Sequence, residues 1–559
     1  MKYAYKVFSV ILFIAILVGC NANTPTPTAT SIPEPTQTPV ASQGTEGFSW
    51  WNNTVFYEIF VRSFRDSDGD GIGDFNGITE KLDYLQALGV KGLWLMPINP
   101  SPSYHGYDVT DYYGVNSAYG TMDDFKHLLE EAHKRDIKII IDFVMNHTSS
   151  KHPWFQKALS PTGIEYHDWY VWSETDPGTL GPWGQKTWYR AANGQYYYAI
   201  FWDQMPDLNY DNPAVRAEMK KATAFWLEEV GIDGFRLDAV RYVVEDDQLA
   251  DSKANHAFLE EWGGYYRSIN PLAFSVGEAW TDNANVKAYT DSNKELDSAF
   301  NFDLSDAMLA SINEGNNRSV RFLLQTTSRD FPEQDNANFI TNHDMPRVMN
   351  QLNTDKEQKA KLAAGILLTA PGIPFLYYGE EIGMSGTKPD ELIRTPMQWD
   401  NTQGAGFTSG KPWEAINSDF QLVNVSKQTG DNTSLLEHYR KLIQLRNEHA
   451  ALQIGKTYVA DSKSNKIVSY LRVSKDETLL IIINIDDTSV SGYDLEISVG
   501  PLSGQYNATS LLDNATINPL TANAKGGFDG YIPLNELPPY SVTIIHRRPI
   551  LNNSVACSR

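Results

Sequence analysis

An arginine and an aspartate lie two residues apart in an otherwise apolar stretch, GFRLDAVRY, at residues 234–242. Because successive side chains of a β-strand point to opposite faces, Arg236 and Asp238 share one face of a short strand. A satisfied ion pair at the end of a strand would explain them by structure alone. The alternative is a carboxylate that an arginine holds ionised for chemistry.

Three other segments place polar residues at the ends of apolar runs. They are DFVMNH at 142–147, GEAW at 277–280 and TNHD at 341–344. Taken singly, each has an ordinary explanation, such as a capping aspartate, a buried histidine or a surface glutamate. Charged groups are rarely buried unless they are paired or functional, so four such segments together indicate an active site.

Asp238, Glu278 and Asp344 supply the carboxyl groups that glycoside hydrolysis requires. Cleavage of an acetal needs a proton for the leaving oxygen and an anion that meets the developing oxocarbenium ion, hence two carboxyl groups with different pKa values. Arg236 should keep Asp238 ionised as a nucleophile. Neighbouring carboxylates should raise the pKa of Glu278, which can then act as acid and afterwards as base.

These residues need a scaffold that brings the ends of several strands together. Apolar runs alternate with amphipathic patterns at 79–88, 122–135 and 214–230, which predicts a parallel α/β sheet. Eight strands favour a closed (β/α)8 TIM barrel, with the active site at the carboxyl ends of the strands. A doubly wound sheet is the alternative, but no Gly-rich phosphate loop is present. The predicted strands cover residues 55–61, 92–97, 138–144, 234–239, 274–280, 300–304, 338–341 and 374–378.

Two regions depart from this alternation. Residues 147–209 follow the third strand and are aromatic and irregular, which predicts an inserted functional domain. After a final helix at 434–448, the runs 467–473, 478–485 and 540–545 predict a C-terminal antiparallel β-sandwich. We therefore expect a catalytic barrel at 48–146 and 210–451, an inserted domain at 147–209 and a sandwich at 452–549.

The first residues predict export. Two lysines precede a short apolar run, which is typical of a signal peptide and is assigned to residues 1–19. The run ends in LVGC, which resembles the lipobox of bacterial lipoproteins and predicts lipid modification of Cys20. An ordinary secretory signal is the alternative. Residues 20–47 are rich in Thr and Pro and predict an extended tether. We expect an extracellular lipoprotein that meets the membrane only through its lipid anchor.

Charge and cysteine content narrow the possible partners. The chain has 69 acidic and 46 basic residues, a formal net charge of −23, so a nucleic-acid partner is not expected. Aromatic residues make up 12% of the chain and suit stacking on neutral sugars as well as packing. Two cysteines cannot form a disulfide framework. We expect a monomer that acts on a neutral ligand.

The four polar segments resemble the ordered signature regions of the α-amylase superfamily of glycoside hydrolases. The resemblance extends from about residue 48 to the end of the sandwich. It implies a barrel with a domain inserted after strand three, a C-terminal sandwich and retaining cleavage of α-glucosidic bonds. It assigns Asp238 as nucleophile, Glu278 as general acid/base and Asp344 as the carboxylate that binds sugar hydroxyls and stabilises the transition state. It assigns sugar-contacting or supporting positions to His105, Tyr107, Asp142, His147, Arg236 and His343.

The loop DSDGDGIGD at 66–74 has carboxylates at a spacing that suits Ca²⁺, as in the first half of an EF-hand loop. The glutamate that closes an EF-hand is missing, since Gly77 stands there, and an ordinary Asp-Gly turn is the alternative. Similar loops bind calcium in the superfamily. A second calcium site of many amylases is not favoured, because Tyr242 replaces a ligand histidine. The predicted ligands are Asp66, Asp68, Asp70, Asp74 and the carbonyl of Ile72.

The features that bear on specificity point in two directions. The segment MPDLN at 205–209 is similar to a group intermediate between oligo-1,6-glucosidases and neopullulanases, whose members are mostly α-amylases. Ala239 stands where α-1,6 enzymes usually carry valine. Tyr104 stands where exo-acting α-glucosidases tend to carry an aspartate that clamps the non-reducing end. Against this, RTPMQWD at 394–400 resembles the glucosidase branch.

We therefore expect endo-hydrolysis of α-1,4 bonds in starch, maltodextrins or related α-glucans. The alternatives within the superfamily are α-glucosidase, oligo-1,6-glucosidase, neopullulanase or cyclomaltodextrinase activity, with or without transglycosylation. An alternative of another class is a non-catalytic glucan-binding lipoprotein. The presence of all three carboxylates argues against it.

Overall fold

The computed structural model describes residues 44–244, 250–291, 294–330, 333–513 and 515–549. The predicted signal peptide, Cys20 and most of the predicted tether lie outside the described residues. Within the described part of the chain, no helix has the length and apolar character needed to cross a membrane. The last residues of the predicted tether, Thr45–Gly47, form a 3-10 turn, and the Thr45 hydroxyl donates to Gln453 at 2.7 Å.

Eight parallel strands close into a barrel, as the alternation of strands and helices predicts. In chain order they are β1 Phe56–Ile59, β2 Gly92–Leu95, β3 Lys138–Phe143, β4 Gly234–Leu237, β5 Phe274–Gly277, β6 Ser298–Phe300, β7 Asn336–Asn338 and β8 Ile373–Tyr377. Each strand pairs with the next, and β8 pairs back with β1. Strand β5 therefore stands opposite β1 in the ring.

Two of the predicted strands are displaced from the observed ones. Residues 300–304 were expected to form a strand, but β6 ends at Phe300, because the Asn301 side chain caps the helix Phe302–Glu314. The prediction for 338–341 shares only Asn338 with β7. The amide of Asn338 donates to the carbonyl of Pro371 at 2.5 Å. Strand β7 is polar, so an apolar pattern does not mark it.

Capped amphipathic helices surround the barrel. The helix Met122–His133 begins with a capping box, in which Thr121 and Asp124 satisfy each other's backbone N–H groups. The predicted pattern at 214–230 is a helix, Pro213–Ala224, that continues as a π-helical segment, Phe225–Val230. The other helices that cover the barrel are Val61–Phe64, Phe75–Glu80, Leu82–Leu88, Lys253–Ile269, Asn283–Thr290, Arg318–Asp330, Val348–Gln351, Lys356–Thr369, Asp390–Ile393, Val425–Gln428, Leu435–Glu448 and Ala450–Ile454.

Aromatic side chains fill the interior of the barrel. The ring of Phe56 stacks on Phe375 and Phe274, with centroid distances of 4.6 and 5.3 Å. Trp51 stacks on Phe274 at 5.2 Å and, with Trp50, covers the amino end of the strands. Since the interior is packed, the loops at the carboxyl ends are left to form a site.

The segment between β3 and β4 folds into a small subdomain. Its aromatic residues, which the sequence shows without a regular pattern, form its core, for example Phe155 stacked on Trp172 with centroids 5.8 Å apart. The subdomain contains the helices Pro153–Ala158 and Ile164–His167 and an antiparallel sheet of Trp172–Ser173, Tyr196–Tyr198 and Trp188–Arg190.

Antiparallel sheets follow the barrel, as predicted. The largest contains, in spatial order, Lys456–Val459, Ile467–Val473, Thr478–Asn484, Ser541–Pro549, Gln505–Ser510 and Leu520–Thr521. A second contains Asp461–Ser462, Leu495–Ile497 and Phe528–Tyr531, and Val490–Ser491 pairs with Glu536–Leu537.

Two buried arginines bind the end of the helix Lys356–Thr369, and one of them, Arg472, joins the C-terminal sheet to the barrel. Arg446 donates to the carbonyl of Leu368 at 2.9 Å. Arg472, on a strand of the large sheet, donates to the carbonyl of Thr369 at 3.2 Å. These carbonyls end the helix Lys356–Thr369 and would otherwise lack partners.

Candidate active site

A cavity of about 580 Å³ lies at the carboxyl end of the barrel. Loops that follow β2, β3, β4, β5, β7 and β8 contribute to it. Six residues predicted from sequence line this cavity: His105, Tyr107, His147, Asp238, Glu278 and Asp344. The other three, Asp142, Arg236 and His343, are buried beneath them. The structure thus brings together all nine predicted catalytic and sugar-contacting residues.

The guanidinium of Arg236 binds three carboxyl groups below the cavity. Its Nη1 donates to Asp238 Oδ1 at 2.7 Å and to Asp142 at 2.9 and 3.0 Å. Its Nη2 donates to Glu278 Oε2 at 2.8 Å. The guanidinium carbon lies 5.0 Å from the ring centroid of Trp94. Arg236 lies on β4 and Asp238 directly follows this strand; the two bonded side chains belong to a group of four charges rather than to an isolated ion pair.

The backbone after β4 also contacts Glu278. Ala239 adopts a left-handed conformation, with φ +48°, which is uncommon for a residue other than glycine. Its N–H donates to Glu278 Oε2 at 3.2 Å. Glu278 Oε2 therefore accepts hydrogen bonds from both Arg236 and Ala239, which fixes the carboxyl group in the cavity.

Burial raises the pKa of both carboxyl groups. Desolvation raises the pKa of Glu278 to about 7, and the charges of Asp238 and Asp344 add to this rise while Arg236 opposes it. Desolvation raises the pKa of Asp238 to about 6; Arg236 opposes this rise, and Asp142 adds to it. Arg236 thus favours ionised Asp238, as expected, but burial outweighs it. The order of the two pKa values means that Asp238 loses its proton before Glu278 does as the pH rises.

Asp344 is ionised because two cations contact it. Its Oδ2 lies 3.0 Å from His343 Nε2, and Arg394 donates to its Oδ1 at 2.9 Å. Burial opposes ionisation, but the charges of His343 and Arg394 hold the pKa of Asp344 well below its usual range. His343 Nδ1 lies 2.6 Å from Glu58 Oε1. Burial lowers the pKa of His343, but the charges of Asp344 and Glu58 outweigh it and raise this pKa to about 10, so the imidazole is cationic.

The remaining predicted residues are held by hydrogen bonds to one another. The Tyr107 hydroxyl lies 2.6 Å from His343 Nε2 and 3.2 Å from Asp142 Oδ2. His147 Nε2 lies 3.2 Å from the carbonyl of Tyr107, and burial lowers the pKa of His147 to about 3. The backbone N–H of Tyr107 donates to His105 Nδ1 at 3.1 Å, and burial lowers the pKa of His105. His105 is therefore neutral with its hydrogen on Nε2.

Three further residues belong to the site and were not predicted from the sequence: Glu58, Asp390 and Arg394. Glu58 is the single charged residue in β1, the same signal that marks Arg236 on β4, so it could have been found. Asp390 and Arg394 line the cavity and are bonded to each other at 3.0 Å. They lie in a segment well beyond β8, where strand periodicity gives no signal.

The predicted calcium loop brings three of its four carboxylates together. One oxygen from each of Asp66, Asp68 and Asp74 lies within 4.8 Å of the others. Asp70 lies outside this group, and its Oδ1 accepts the backbone N–H of Ile72 at 2.8 Å. The hydroxyl of Thr408 donates to Asp66 and ties the loop to the barrel.

The side chain of Asn146, which follows β3, binds two other segments of the site. The side-chain amide of Asn146 donates to the carbonyl of Tyr242 at 2.7 Å and to Asp207 at 3.4 Å.

A larger cavity, of about 790 Å³, lies between the inserted sheet and the segment after β4. Trp188 and Tyr198 line it, and Tyr242 separates it from the catalytic cavity. None of the nine predicted catalytic and sugar-contacting residues reaches this space. The smaller cavity is therefore the candidate active site, because the interacting carboxyl groups lie there.

Known proteins are similar to this chain in sequence and in fold. The family described as "Alpha amylase, catalytic domain" matches residues 58–455. Alpha-amylase 3 from Dictyoglomus thermophilum is 42% identical over 441 residues, which cover 78% of this chain and 85% of that protein. An oligo-1,6-glucosidase from Parageobacillus thermoglucosidasius is 34% identical over 516 residues, which cover 78% of this chain and 91% of that protein. Among solved structures, the alpha-amylase from H. orenii is 38% identical with a TM-score of 0.76, over 89% of this chain and 99% of that one.

Proposed function

The chain belongs to the α-amylase family of glycoside hydrolases, and on this basis we propose that it cleaves internal α-1,4 bonds of α-glucans with retention of configuration. The observation that carries the proposal is the shared arginine, whose Nη1 and Nη2 bind Asp238 and Glu278 at 2.7 and 2.8 Å. Retaining enzymes separate their two carboxyl groups by about 5 to 5.5 Å, and inverting enzymes by about 6.5 to 9.5 Å. Two carboxyl groups bound to one guanidinium favour the shorter distance.

In the first step, ionised Asp238 attacks the anomeric carbon and forms a glycosyl ester, while Glu278 gives its proton to the departing glycosidic oxygen. In the second step, ionised Glu278 takes a proton from water, and the oxygen of that water bonds to the anomeric carbon and releases Asp238. The pKa order of the two groups, about 6 for Asp238 and about 7 for Glu278, suits these roles.

Asp344 and His105 bind the sugar and take no part in the proton transfer. Asp344, kept anionic by His343 and Arg394, accepts hydrogen bonds from ring hydroxyls and faces the positive charge that develops in the transition state. Neutral His105 lines the cavity and carries its hydrogen on Nε2, which can donate to a sugar hydroxyl. Both groups are fixed by neighbours before the substrate arrives, so they require little reorganisation.

We call the side of the cavity that binds the sugars on the non-reducing side of the cleaved bond the donor end. Its aromatic residues support the proposal of internal cleavage. Tyr104, at the position where exo-acting relatives tend to carry a clamping aspartate, stacks on Trp413 with ring centroids 5.5 Å apart. Such an aromatic surface can support further glucose units instead of blocking the chain. The preferred substrates are therefore starch, maltodextrins and related α-glucans.

A second candidate is an α-glucosidase or oligo-1,6-glucosidase, which the similarity to the oligo-1,6-glucosidase also supports. Asp390 favours this alternative, because its carboxylate lines the cavity beside Arg394 and could itself limit the donor end. Neopullulanase activity and glucosyl transfer remain compatible with the same carboxyl pair.

Product analysis over time distinguishes these candidates. Purified enzyme is incubated with maltoheptaose, pullulan and isomaltose. Internal cuts of maltoheptaose, with little action on isomaltose, are expected. Release of single glucose units from every substrate would favour the glucosidase, and absence of any cleavage would favour a glucan-binding protein.

We also propose that the loop after β1 binds Ca²⁺. Asp66, Asp68 and Asp74 offer oxygen atoms within 4.8 Å of one another, and hard oxygen ligands suit this ion. The carbonyl of Ile72 and the carboxylate of Asp70 are the further predicted ligands. A bound Ca²⁺ would neutralise the crowded carboxylates and stabilise the fold, without taking part in catalysis.

The proposed cellular location rests on the sequence alone. We propose an exported, monomeric lipoprotein whose Cys20 carries the lipid. Metabolic labelling with a radioactive fatty acid should label the expressed chain, and Cys20→Ser should abolish the label. Labelling of both forms to the same extent would contradict the lipid assignment.

A further inference from the structure

Glu58 is a charged residue in the interior of the barrel. Phe56 and Glu58 lie two residues apart on β1, so the alternation of a strand directs both side chains to the same side. The ring of Phe56 packs inside the barrel against Phe375 and Phe274. Glu58 therefore lies in the barrel too, nearer to the carboxyl end, and only 2% of it is exposed. A carboxylate that is buried so deeply requires a partner or a function.

The partner of Glu58 is the imidazole of His343. Glu58 Oε1 lies 2.6 Å from His343 Nδ1, and neither side chain is more than 2% exposed. The opposite ring nitrogen, Nε2, lies 3.0 Å from Asp344 Oδ2. The side chain of Asp344 is 30% exposed and lines the catalytic cavity. The imidazole thus joins a carboxylate inside the barrel to a carboxylate that a substrate can reach.

The groups around His343 favour a hydrogen on both of its ring nitrogens. Glu58 and Asp344, as carboxylates, only accept hydrogen bonds. The Tyr107 hydroxyl lies 2.6 Å from Nε2, but it donates its single hydrogen to Asp142 Oδ2 at 3.2 Å. It can therefore accept a hydrogen bond from Nε2. An imidazole that donates from both nitrogens is cationic.

The charge of Glu58 matters because a neutral imidazole would not suit Asp344. With its single hydrogen on Nδ1, toward Glu58, a neutral His343 would direct the lone pair of Nε2 at Asp344 Oδ2. Two acceptors 3.0 Å apart repel each other. Asp344 would then depend on Arg394, which donates to its other oxygen, Oδ1, at 2.9 Å.

We propose that Glu58 is a positioning residue of the reaction, which acts through His343 to keep Asp344 anionic and in place for the sugar. The proposal rests on the proposed glycosidase function, in which Asp344 faces the positive charge of the transition state. The described residues that line the cavity do not include Glu58, so its action on the substrate is indirect. Its effect should appear in the chemical step more than in ground-state binding.

The kinetic test removes the charge of Glu58 and keeps its shape. Glu58→Gln should lower kcat on maltoheptaose about tenfold to a hundredfold, as expected for the loss of a hydrogen bond between charged groups. KM should change less than about threefold. Glu58→Asp, which keeps the charge, should recover part of kcat.

Glu381→Gln is the matched control for this substitution. Glu381 is also a fully buried glutamate. Its carboxyl group accepts hydrogen bonds from the hydroxyls of Tyr57 and Tyr84 at 2.8 and 2.6 Å rather than from His343. Glu381→Gln should therefore change kcat less than about twofold, whatever its effect on the melting temperature.

NMR of the enzyme labelled with ¹⁵N-histidine gives a readout that does not depend on activity. In the unmodified enzyme at neutral pH, both ring nitrogens of His343 should carry a hydrogen, and the loss of their signals in His343→Gln assigns them. In Glu58→Gln, the imidazole should lose one hydrogen at a lower pH than in the unmodified enzyme. If Glu58→Gln does not fold, the number of hydrogens on His343 in the unmodified enzyme decides.

Three results would overturn the proposal. They are a neutral His343 in the unmodified enzyme at neutral pH, an unchanged kcat in folded Glu58→Gln, and a loss of kcat in Glu381→Gln as large as that in Glu58→Gln. If the unmodified enzyme cleaves no maltoheptaose although His343 is cationic, the proposed function fails instead.

Discussion

Asp238 and Glu278 are hydrogen-bonded to the two terminal nitrogens of one guanidinium, that of Arg236, at 2.7 and 2.8 Å. This shared partner fixes the two carboxyl groups relative to each other. It also opposes the pKa rise that burial imposes on both. Burial raises both pKa values, and nearby negative charges add to the rise, first Asp142 for Asp238 and first Asp238 for Glu278.

The carboxyl pair predicts different responses to two leaving groups. Glu278→Gln should lower kcat on maltoheptaose by about 10²- to 10⁴-fold, because the departing oxygen is no longer protonated. It should affect α-maltosyl fluoride much less in the first step, since fluoride leaves without a proton. Asp238→Asn should abolish cleavage of both substrates, because no covalent ester forms. Persistent activity of Asp238→Asn on either substrate would refute the nucleophile assignment.

The pH profile of kcat/KM should be a narrow bell. Asp238 must be ionised, so the rate should fall as pH drops below about 6; Glu278 must be protonated, so it should fall above about 7. The two limbs report the coupled pair rather than single residues. Initial rates between pH 4 and 9 at constant ionic strength, of about 0.15 M, test this. A flat plateau that extends to strongly alkaline pH would contradict the assignment of Glu278 as the acid.

Replacement of Arg236 should affect both stability and pKa. Arg236→Met leaves Asp142, Asp238 and Glu278 buried without their shared cation, which should cost about 3 to 5 kcal/mol of unfolding free energy at neutral pH. Because Arg236 lowers the pKa of Asp238 and of Glu278, its loss should raise both. Part of the stability should then return as pH falls and the carboxyl groups become protonated. Chemical denaturation at pH 5 and pH 8 measures this, and an unchanged stability at both values would rule out the expected role.

Metal removal should destabilise the protein if the loop after β1 binds Ca²⁺. Chelation should lower the melting temperature, and added Ca²⁺ should restore it more effectively than Mg²⁺. Asp66→Asn should remove most of this response. Asp70→Asn is the milder comparison, because Asp70 lies outside the group of three carboxylates. A melting temperature that does not respond to chelation would exclude the site.

Much of the site could be predicted from sequence because strand periodicity exposes it. Arg236 on β4 and Asp238 directly after it alternate with apolar residues, and this pattern predicts that their side chains lie on one side. Glu58 is likewise a charged residue between apolar residues on β1, so the same reasoning predicts it as a site residue. Asp390 and Arg394 lie in the long connection after β8, where no period relates a residue to its neighbours in space.

The departures of the fold from the predictions also have local physical causes. Strand β7 contains Asn336 and Asn338, whose side chains bond within the barrel, so its polarity conceals it. Asn301 ends β6 early because it caps the following helix. In the inserted subdomain, the strands are too short for alternation to become visible; Trp172–Ser173 has only two residues. These segments are specified by tertiary contacts rather than by local pattern.

Arg472, on the large antiparallel sheet, binds the end of a barrel helix. This contact decides whether the barrel can be produced without the C-terminal region. Arg472 supplies a donor to Thr369, and Tyr470, on the same strand, lies 2.5 Å from the Thr369 hydroxyl. A chain truncated to the catalytic barrel would lack these donors at the buried end of the helix Lys356–Thr369. The C-terminal sheets thus stabilise the hydrolase. Their transfer to another protein or their removal is expected to yield insoluble material rather than a smaller enzyme.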